Sequence, residues 1–268
     1  MDSKTATIIT EWYKNNSREL PWRTDRSAYS VWISEIMLQQ TRVEAVIPYY
    51  ARFMENFPDV FALAAAEEGF LLKIWQGLGY YSRARNLKKA AQIIVSEYGG
   101  VLPKDIALLK KLPGIGEYTA GAIASIAYGM PAPAVDGNVL RILMRLWASD
   151  EDVLSPTAKK KATGALQKIY PNGDEARLFT EGLMELGQTI CLPNGEPKCG
   201  NCPSMRWGCR RGSCLLRPQI RARHRGIRKK TTNRKICISS YIELYVFSPL
   251  WGNCFFLTGK KMPPSGQG

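Results

Sequence analysis

The sequence predicts an all-α fold, and two patterns indicate it. Over the first 190 residues apolar side chains recur at spacings of three and four, as in YSVWISEIMLQQTRVEAVIPYYARFMENF, and no stretch alternates with the period of a strand. Glycine closes several of these segments, including FALAAAEEGFLLKIWQGLG and ARNLKKAAQIIVSEYGG, as it often closes helices. After about residue 236 the chain is rich in β-branched and aromatic residues, but roughly 30 residues cannot bury a sheet core. We therefore expect a short irregular or β-leaning tail there.

The length of the chain and its apolar segments restrict the classes of protein that this sequence can encode. The 268 residues suffice for one large domain or two modest ones. No segment approaches the roughly 18–20 apolar residues of a membrane span, and the first residues lack the pattern of a signal peptide. These features predict a cytoplasmic protein without membrane contact.

The net charge of +14 is concentrated in the last part of the chain. Residues 1–196 contain 22 basic and 22 acidic residues, whereas residues 197–268 contain 15 basic residues and one acid, Glu243. The run RPQIRARHRGIRKKTTNRK (217–235) has nine basic residues and no acid. Such a run is either a solvated arm without function or a contact for a polyanion such as DNA.

The segment SAYSVWISEIMLQQTRVEAV places Glu35 among large apolar residues. A carboxyl group in that setting has a raised pKa and can act as a general acid near neutrality. A glutamate on the wet edge of an amphipathic helix is the commoner arrangement, so this segment alone leaves both open. Farther on, GLGYYSRARNL combines two tyrosines with Arg83 and Arg85, which suits contact with bases and phosphates or ordinary packing.

The segment LLKKLPGIGEYTAGAI predicts two helices joined by a Gly-rich hairpin. Gly114 and Gly116 allow a tight turn and the close approach of a ligand, and the amides that begin the second helix favour an anion such as a DNA phosphate. A plain connection between helices is the alternative. In APAVDGNVLRILMRL, Asp136 precedes a helix and is either its N-cap or a carboxylate that faces a ligand.

Four cysteines lie in CLPNGEPKCGNCPSMRWGC: Cys191, Cys199, Cys202 and Cys209. In a reducing cytoplasm such a cluster favours metal over disulfides. A single C-x2-C pair flanked by two distant cysteines indicates one compact loop around one centre. Four thiolates suit either zinc or a [4Fe–4S] cluster, and the spacing alone leaves both open.

The order of these motifs resembles the adenine DNA glycosylases, the MutY family of the helix-hairpin-helix superfamily, over about residues 8–215. The resemblance rests on SEIMLQQT, GLGYYSRARNL, LPGIGEYTAGAI, VDGNVLR and the cysteine loop. It implies a six-helix module with the hairpin at 28–133, an iron–sulfur cluster module formed by 1–27 and 134–215, and a basic linker with a truncated remnant at 216–268. It also implies a [4Fe–4S] cluster on the four cysteines, with Cys214 as an outside candidate for Cys209.

The resemblance further implies removal of adenine opposite 8-oxoguanine or guanine by a monomer bound to double-stranded DNA in the nucleoid. Glu35 is the expected acid, Asp136 the carboxylate that stabilises or captures the sugar cation, and Tyr118 replaces the Schiff-base lysine of endonuclease III. This predicts a monofunctional enzyme that leaves an abasic site. The expected contacts with DNA or the extruded base are Trp22, Arg23, Gln40, Tyr81, Asn138, Glu181, Gly114 and Gly116.

The sequence differs from the family at its C-terminal end, and it leaves two alternative functions open. The family continues into a C-terminal domain that reads 8-oxoguanine, and the residues after 231 do not resemble it, so we expect weaker discrimination for that base. One alternative is an endonuclease III-like bifunctional glycosylase and lyase. The other is a DNA-binding remnant without catalysis.

Overall fold

The computed structural model describes residues 3–203 except 148, 150, 154 and 195, and within that range every regular element is helical. The all-α prediction is confirmed for these residues; the expected tail lies outside them. All of them belong to one compact unit. The α-helices are α1 (Ser3–Asn16), α2 (Pro21–Thr24), α3 (Ala28–Leu38), α4 (Val43–Asn56), α5 (Val60–Ala65), α6 (Glu68–Trp75), α7 (Ser82–Tyr98), α8 (Ile106–Leu109), α9 (Glu117–Ala122), α10 (Gly137–Leu146), α11 (Pro156–Gln167) and α12 (Asp174–Thr189).

Short polar side chains determine where several helices begin. The side chains of Ser27, Asp105, Asp136 and Ser155 each accept a hydrogen bond from a backbone N–H in the first turn of α3, α8, α10 and α11. These bonds satisfy donors that a helix start leaves without an internal partner. Helix α7 ends at Gly99 with φ +61°, in the left-handed conformation that glycine adopts at least cost.

Helix α3 is the central element of the core. All nine residues from Tyr29 to Met37 are buried, and Trp32 and Ile33 have no exposed surface. A helix that is apolar on nearly every face must be covered on all sides. Helices α2, α4 and α9 and the π-helical turn Ile123–Ala127 pack against it. Any polar side chain on this helix is therefore buried with it.

The predicted helix–hairpin–helix is formed by α8, the turn at 112–116 and α9. The N–H of Ile115 donates to the Leu112 carbonyl at 3.1 Å, and Gly114 has φ +81° at the third position of this turn. A residue with a side chain would be strained there. The buried side chain of Ile115 anchors the turn to the core.

Helix α12 joins the N-terminal helix to the later part of the chain, since it packs against α1, α10 and the π-helical turn. Buried hydroxyls connect it to that turn: Thr180 donates to the Ser125 hydroxyl at 2.9 Å and lies 2.6 Å from the Tyr170 hydroxyl. The division into two modules at residues 28–133 remains a prediction. In the part of the chain that the structure describes, no helix has the length and apolar character needed to cross a membrane.

Candidate active site

Glu35 is a buried carboxyl group on the core helix α3, with 5% of its surface exposed. Burial raises its pKa from 4.5 to about 7, a hydrogen bond from Tyr118 opposes this, and the charges of Asp136 and Glu181 add to it. Of the two arrangements that the sequence left open for Glu35, the structure shows the buried one. A carboxyl group in this state can hold and release a proton near neutral pH.

Asp136 is the N-cap of α10, as one of the two interpretations of the sequence predicted, and its charge acts on Glu35. Its Oδ1 accepts from the Val139 N–H at 2.8 Å, and its Oδ2 accepts from the Asn138 amide at 2.6 Å. Burial raises the pKa of Asp136, whereas these hydrogen bonds and the Arg141 charge oppose the rise. The carboxylate is therefore fixed in orientation by its own helix.

Tyr118, in the first turn of α9, lies close to both acids. It hydrogen-bonds Glu35, and its hydroxyl is 4.0 Å from the Met184 sulfur. Burial of the hydroxyl, with the charges of Glu35 and Asp136, raises its pKa well above 10. Tyr118 therefore stays a neutral phenol, which can donate a hydrogen bond but supplies no amine.

A pocket opens onto Glu35, and three other predicted residues line it: Trp22, Arg23 and Glu181. Trp22 stacks edge-on against Tyr50 with ring centroids 5.5 Å apart. The rest of the wall is mainly apolar: Leu20, Val31, Ser34, Leu38, Val43, Ile126, Met184 and Gln188. An apolar wall with a few polar groups is typical of a small-molecule site.

Sequence reasoning missed Glu185, which holds one side of this pocket. Its side chain is fully buried and accepts from Arg18 Nε at 2.5 Å and from Arg23 Nη2 at 2.7 Å. Burial alone would raise its pKa, but the hydrogen bonds from both arginines bring it below the ordinary value. Arg23 also lies over the Tyr13 ring at 5.3 Å. The residues are far apart in the chain, so no local pattern could have indicated the group.

Sequence reasoning also missed Arg141, in the second turn of the helix that Asp136 caps. Its Nη2 donates to the Asn138 side-chain oxygen at 2.9 Å and to the Gly187 carbonyl at 2.7 Å, and its Nε donates to the Cys191 carbonyl at 2.9 Å. A methyl group on Gly187 would lie 2.8 Å from Asn138 Cβ. The position of Asn138, and through it that of Asp136, therefore depends on α12 approaching closely.

Gln40 and Tyr81 lie outside the pocket, on exposed turns after α3 and before α7. Gln40 has φ +59°, and Tyr81 is 40% exposed beside Tyr80, which has φ +48°. Of the two alternatives that the sequence left open for Arg83, the structure shows packing, because its guanidinium points inward and donates to backbone carbonyls. Arg85 is exposed and pairs with Glu68 at 2.9 Å.

Gly114 and Gly116 form the exposed hairpin turn, also away from the pocket. A Cβ added to Gly116 would meet no atom within 4 Å, so the space in front of this residue is open. Glu117 stands directly beside it and lies 3.5 Å from both Lys110 Nζ and Lys159 Nζ. These lysines, Lys159 first, lower the pKa of Glu117. An acid here opposes the attraction of an anion to the hairpin.

Three of the four predicted metal ligands, Cys191, Cys199 and Cys202, lie half-buried in the loop after α12. The Lys198 N–H donates to the Ile190 carbonyl at 3.0 Å, which draws the start of the loop towards Cys199. The Cys202 N–H donates to the Cys199 carbonyl at 3.1 Å, and Arg145 Nη1 lies 3.1 Å from the Cys191 sulfur. Cys209 and Cys214 lie outside the described residues. Within the described residues, no group of three His, Cys, Asp or Glu side chains could hold a metal ion.

Comparison with known proteins gives consistent matches. Residues 33–172 match the family described as HhH-GPD superfamily base excision DNA repair protein. An adenine DNA glycosylase of Buchnera aphidicola subsp. Acyrthosiphon pisum is 41% identical over 197 residues, which are 73% of this chain and 56% of that protein, so the chain spans about half the length of that relative. The adenine DNA glycosylase of Mycolicibacterium smegmatis is 41% identical over a region that covers 74% of this chain and 68% of the relative's length.

The fold is also similar to that of a solved glycosylase. The structure of a thermostable thymine-DNA glycosylase superposes with a TM-score of 0.67 at 28% identity, covering 74% of this chain and 90% of that one. Sequence and structure therefore agree, and the chain belongs to the HhH-GPD superfamily of base excision DNA repair proteins and, within it, to the adenine DNA glycosylase family.

Proposed function

We propose that this protein removes adenine mispaired with 8-oxoguanine or guanine, by hydrolysing the N-glycosidic bond and leaving an abasic site. The observation that carries the proposal is the pairing of Glu35, buried and with a pKa of about 7, with the oriented carboxylate of Asp136. The relatives named above are adenine DNA glycosylases, which supports adenine as the base. The partner is double-stranded DNA, and the protein acts on it as a monomer at the nucleoid.

The chemistry follows from these two acids. Adenine inside a duplex is inaccessible, so it must be extruded into the pocket. Glu35, protonated near neutral pH, donates its proton to N7 of adenine. The bond between N9 and the sugar then breaks, and its electron pair leaves with the base. Asp136 stabilises the resulting sugar cation. Water adds to C1′ of this cation and gives up one proton to the Asp136 carboxylate, as paired carboxylates direct in glycoside hydrolysis.

Pocket residues would bind the extruded base. Glu181, on the pocket wall and 3.2 Å from Arg177 Nη1, is suited to accept a hydrogen bond from the adenine amino group. Trp22 offers an aromatic edge, and Arg23 a positive group held by Glu185. Asn138 is a positioning residue for Asp136, since its amide donates to Oδ2.

Outside the pocket, two exposed regions would contact DNA. Gln40 and Tyr81 protrude from neighbouring turns and would enter the duplex beside the adenine. The amides near Gly114 and Gly116 would bind a phosphate of the backbone, which needs no particular base sequence. These contacts would fix the register of the duplex over the pocket.

Cys191, Cys199, Cys202 and Cys209 would hold a [4Fe–4S] cluster. The described part of the loop fits this donor set: it is rich in thiols, its backbone draws Cys191 towards the C-x2-C turn, and the guanidinium of Arg145 suits a centre with anionic sulfur ligands. When bound, the cluster would cross-link the loop and hold it folded. Cys214 is the alternative to Cys209.

The reaction should stop at the abasic site. A lyase needs an amine that forms a Schiff base with the sugar, and Tyr118 presents a phenol beside the two acids. No lysine lines the described pocket around Glu35. These features favour a monofunctional glycosylase over the endonuclease III-like alternative.

A single-turnover experiment tests the proposal. Cluster-loaded protein is mixed with duplexes that carry adenine opposite guanine or 8-oxoguanine, and samples are analysed with and without alkali. Strand breaks that appear only after alkali support a monofunctional adenine glycosylase. Breaks without alkali would support the lyase, and tight binding without excision of either adenine would support a non-catalytic DNA-binding protein.

A further inference from the structure

Arg83 is a buried arginine near the start of α7 with an unusual set of partners. Its Nη1 donates to the carbonyls of Ile36 at 2.8 Å, Met37 at 3.0 Å and Gln39 at 2.7 Å. Its Nη2 donates to the carbonyls of Leu78 at 3.1 Å and Gly79 at 3.3 Å. Among the described residues no carboxylate forms an ion pair with it. One guanidinium therefore binds two separate stretches of backbone.

These two stretches carry the exposed side chains expected to enter the duplex. The first is the end of α3 and the turn to Gln40; the second is the turn before α7, which leads to Tyr81. Gln40 at φ +59° and Tyr80 at φ +48° are the non-glycine residues of the described chain with positive φ. Such conformations persist only where the surrounding structure holds them, and here both turns are bound by the same side chain.

The guanidinium is itself held in place. Its central carbon lies 5.3 Å from the centre of the Trp75 ring and 5.6 Å from that of the Tyr80 ring. Trp75 Nε1 donates to the Gly79 carbonyl at 3.0 Å, which fixes the second turn from another direction. The planar fork of an arginine can bind both stretches at once, whereas the ammonium of a lysine is a single point that can reach one of them.

We propose that Arg83 is a positioning residue for base extrusion: it fixes the turn of Gln40 against the turn of Tyr81, so that both side chains meet the duplex at a set separation. The inference rests on the proposed function, because it assumes that these side chains enter DNA. It predicts that loss of the guanidinium fork weakens extrusion of the adenine more than the bond cleavage that follows.

The first test compares Arg83→Lys with the wild type on two substrates in single turnover. One carries adenine paired opposite guanine; the other carries adenine without an opposing base, which costs less to extrude. We expect the rate on the paired substrate to fall about tenfold more than the rate on the unpaired one. A general loss of folded protein would lower both rates equally, and equal losses would overturn the proposal.

A second readout does not depend on excision. With 2-aminopurine in place of the target adenine, fluorescence at saturating protein reports unstacking of the base. Arg83→Lys should lower this signal, and the loss should be much smaller in a variant that already carries Gln40→Ala and Tyr81→Ala. An undiminished signal would overturn the role of Arg83. Wild-type protein that unstacks the base without excising adenine would instead refute the proposed function and leave this test valid.

Two further variants complete the design. Arg52→Lys is the matched control, since Arg52 is exposed and donates to one backbone carbonyl, that of Ile74, at 2.7 Å; it should behave as the wild type on both substrates. If Arg83→Lys does not fold, Trp75→Phe takes its place in both tests. This variant removes the donor to the Gly79 carbonyl and loosens the same turn. That variant should show a smaller loss confined to the paired substrate, and equal losses on both substrates would count against the proposal.

Discussion

Replacement of Glu35 by glutamine should stabilise the protein at alkaline pH while abolishing excision. Glu35 is 5% exposed, and burial raises its pKa from 4.5 to about 7. At pH 8 the folded protein therefore holds a buried negative charge near Asp136 and Glu181. Glutamine has the same shape without the charge, so this unfavourable burial disappears.

The sign and size of the effect follow from proton linkage. Between pH 4.5 and 7 the unfolded chain has lost the proton that folded Glu35 still holds, so the free energy of unfolding falls as pH rises through this window. The full shift corresponds to about 3 kcal/mol above pH 7, at about 1.4 kcal/mol per pKa unit. Glu35→Gln should thus be more stable than the wild type at pH 8, by up to roughly 10 °C in Tm, and nearly equal to it at pH 4.5.

Excision should change in the opposite direction. Glutamine cannot transfer a proton to N7, so Glu35→Gln should be inactive across the pH range. The single-turnover rate of the wild type should fall about tenfold per pH unit above pH 7, as the acid loses its proton.

Calorimetry at pH 5 and pH 8, together with single-turnover rates from pH 6 to 9, would check both parts. Glu55→Gln, at an exposed position on α4, is the control and should affect neither stability nor excision. A Glu35→Gln protein less stable than the wild type at pH 8 would refute the electrostatic reasoning. A wild-type rate that does not change with pH would refute the assignment of Glu35 as the acid.

Three other substitutions test separate contacts. Gly187→Ala places a methyl group 2.8 Å from Asn138 Cβ, which should displace Asn138 and therefore Asp136. The single-turnover rate should fall about tenfold, whereas a binding titration should show unchanged DNA affinity. An unchanged rate would exclude the positioning of Asp136 through Asn138. Arg145→Met removes the donor 3.1 Å from the Cys191 sulfur and should lower the iron content of the purified protein, whereas full occupancy would contradict the role given to Arg145. Glu117→Gln removes an acid beside the hairpin and leaves its two lysines unpaired, so fluorescence anisotropy should show several-fold tighter, more salt-dependent DNA binding; unchanged affinity would remove the hairpin from the interface.

Local sequence patterns predicted much of what the structure shows. The apolar spacing indicated helices, and the L-P-G-I-G segment indicated the hairpin. The apolar neighbours of Glu35 made a raised pKa one of two open interpretations, and the structure shows that one. Each of these properties depends on residues within a few positions of one another, because helix periodicity, turn conformation and burial of a helix face are local. For Asp136 the sequence left open whether it is a helix cap or a catalytic carboxylate, because one carboxylate can cap a helix and also act beside Glu35.

Long-range packing decided the rest. The sequence left Arg83 open between a DNA contact and ordinary packing, and the structure shows that its guanidinium binds carbonyls of α3, more than 40 positions earlier in the chain. Glu185 and Arg141 were not identified, because their partners come from α2, the loop before it and the cysteine loop. The sequence by itself determined the helices, the hairpin and the acids available for chemistry. Only the tertiary structure decided which charged groups are buried together, since that depends on which distant segments pack against each other.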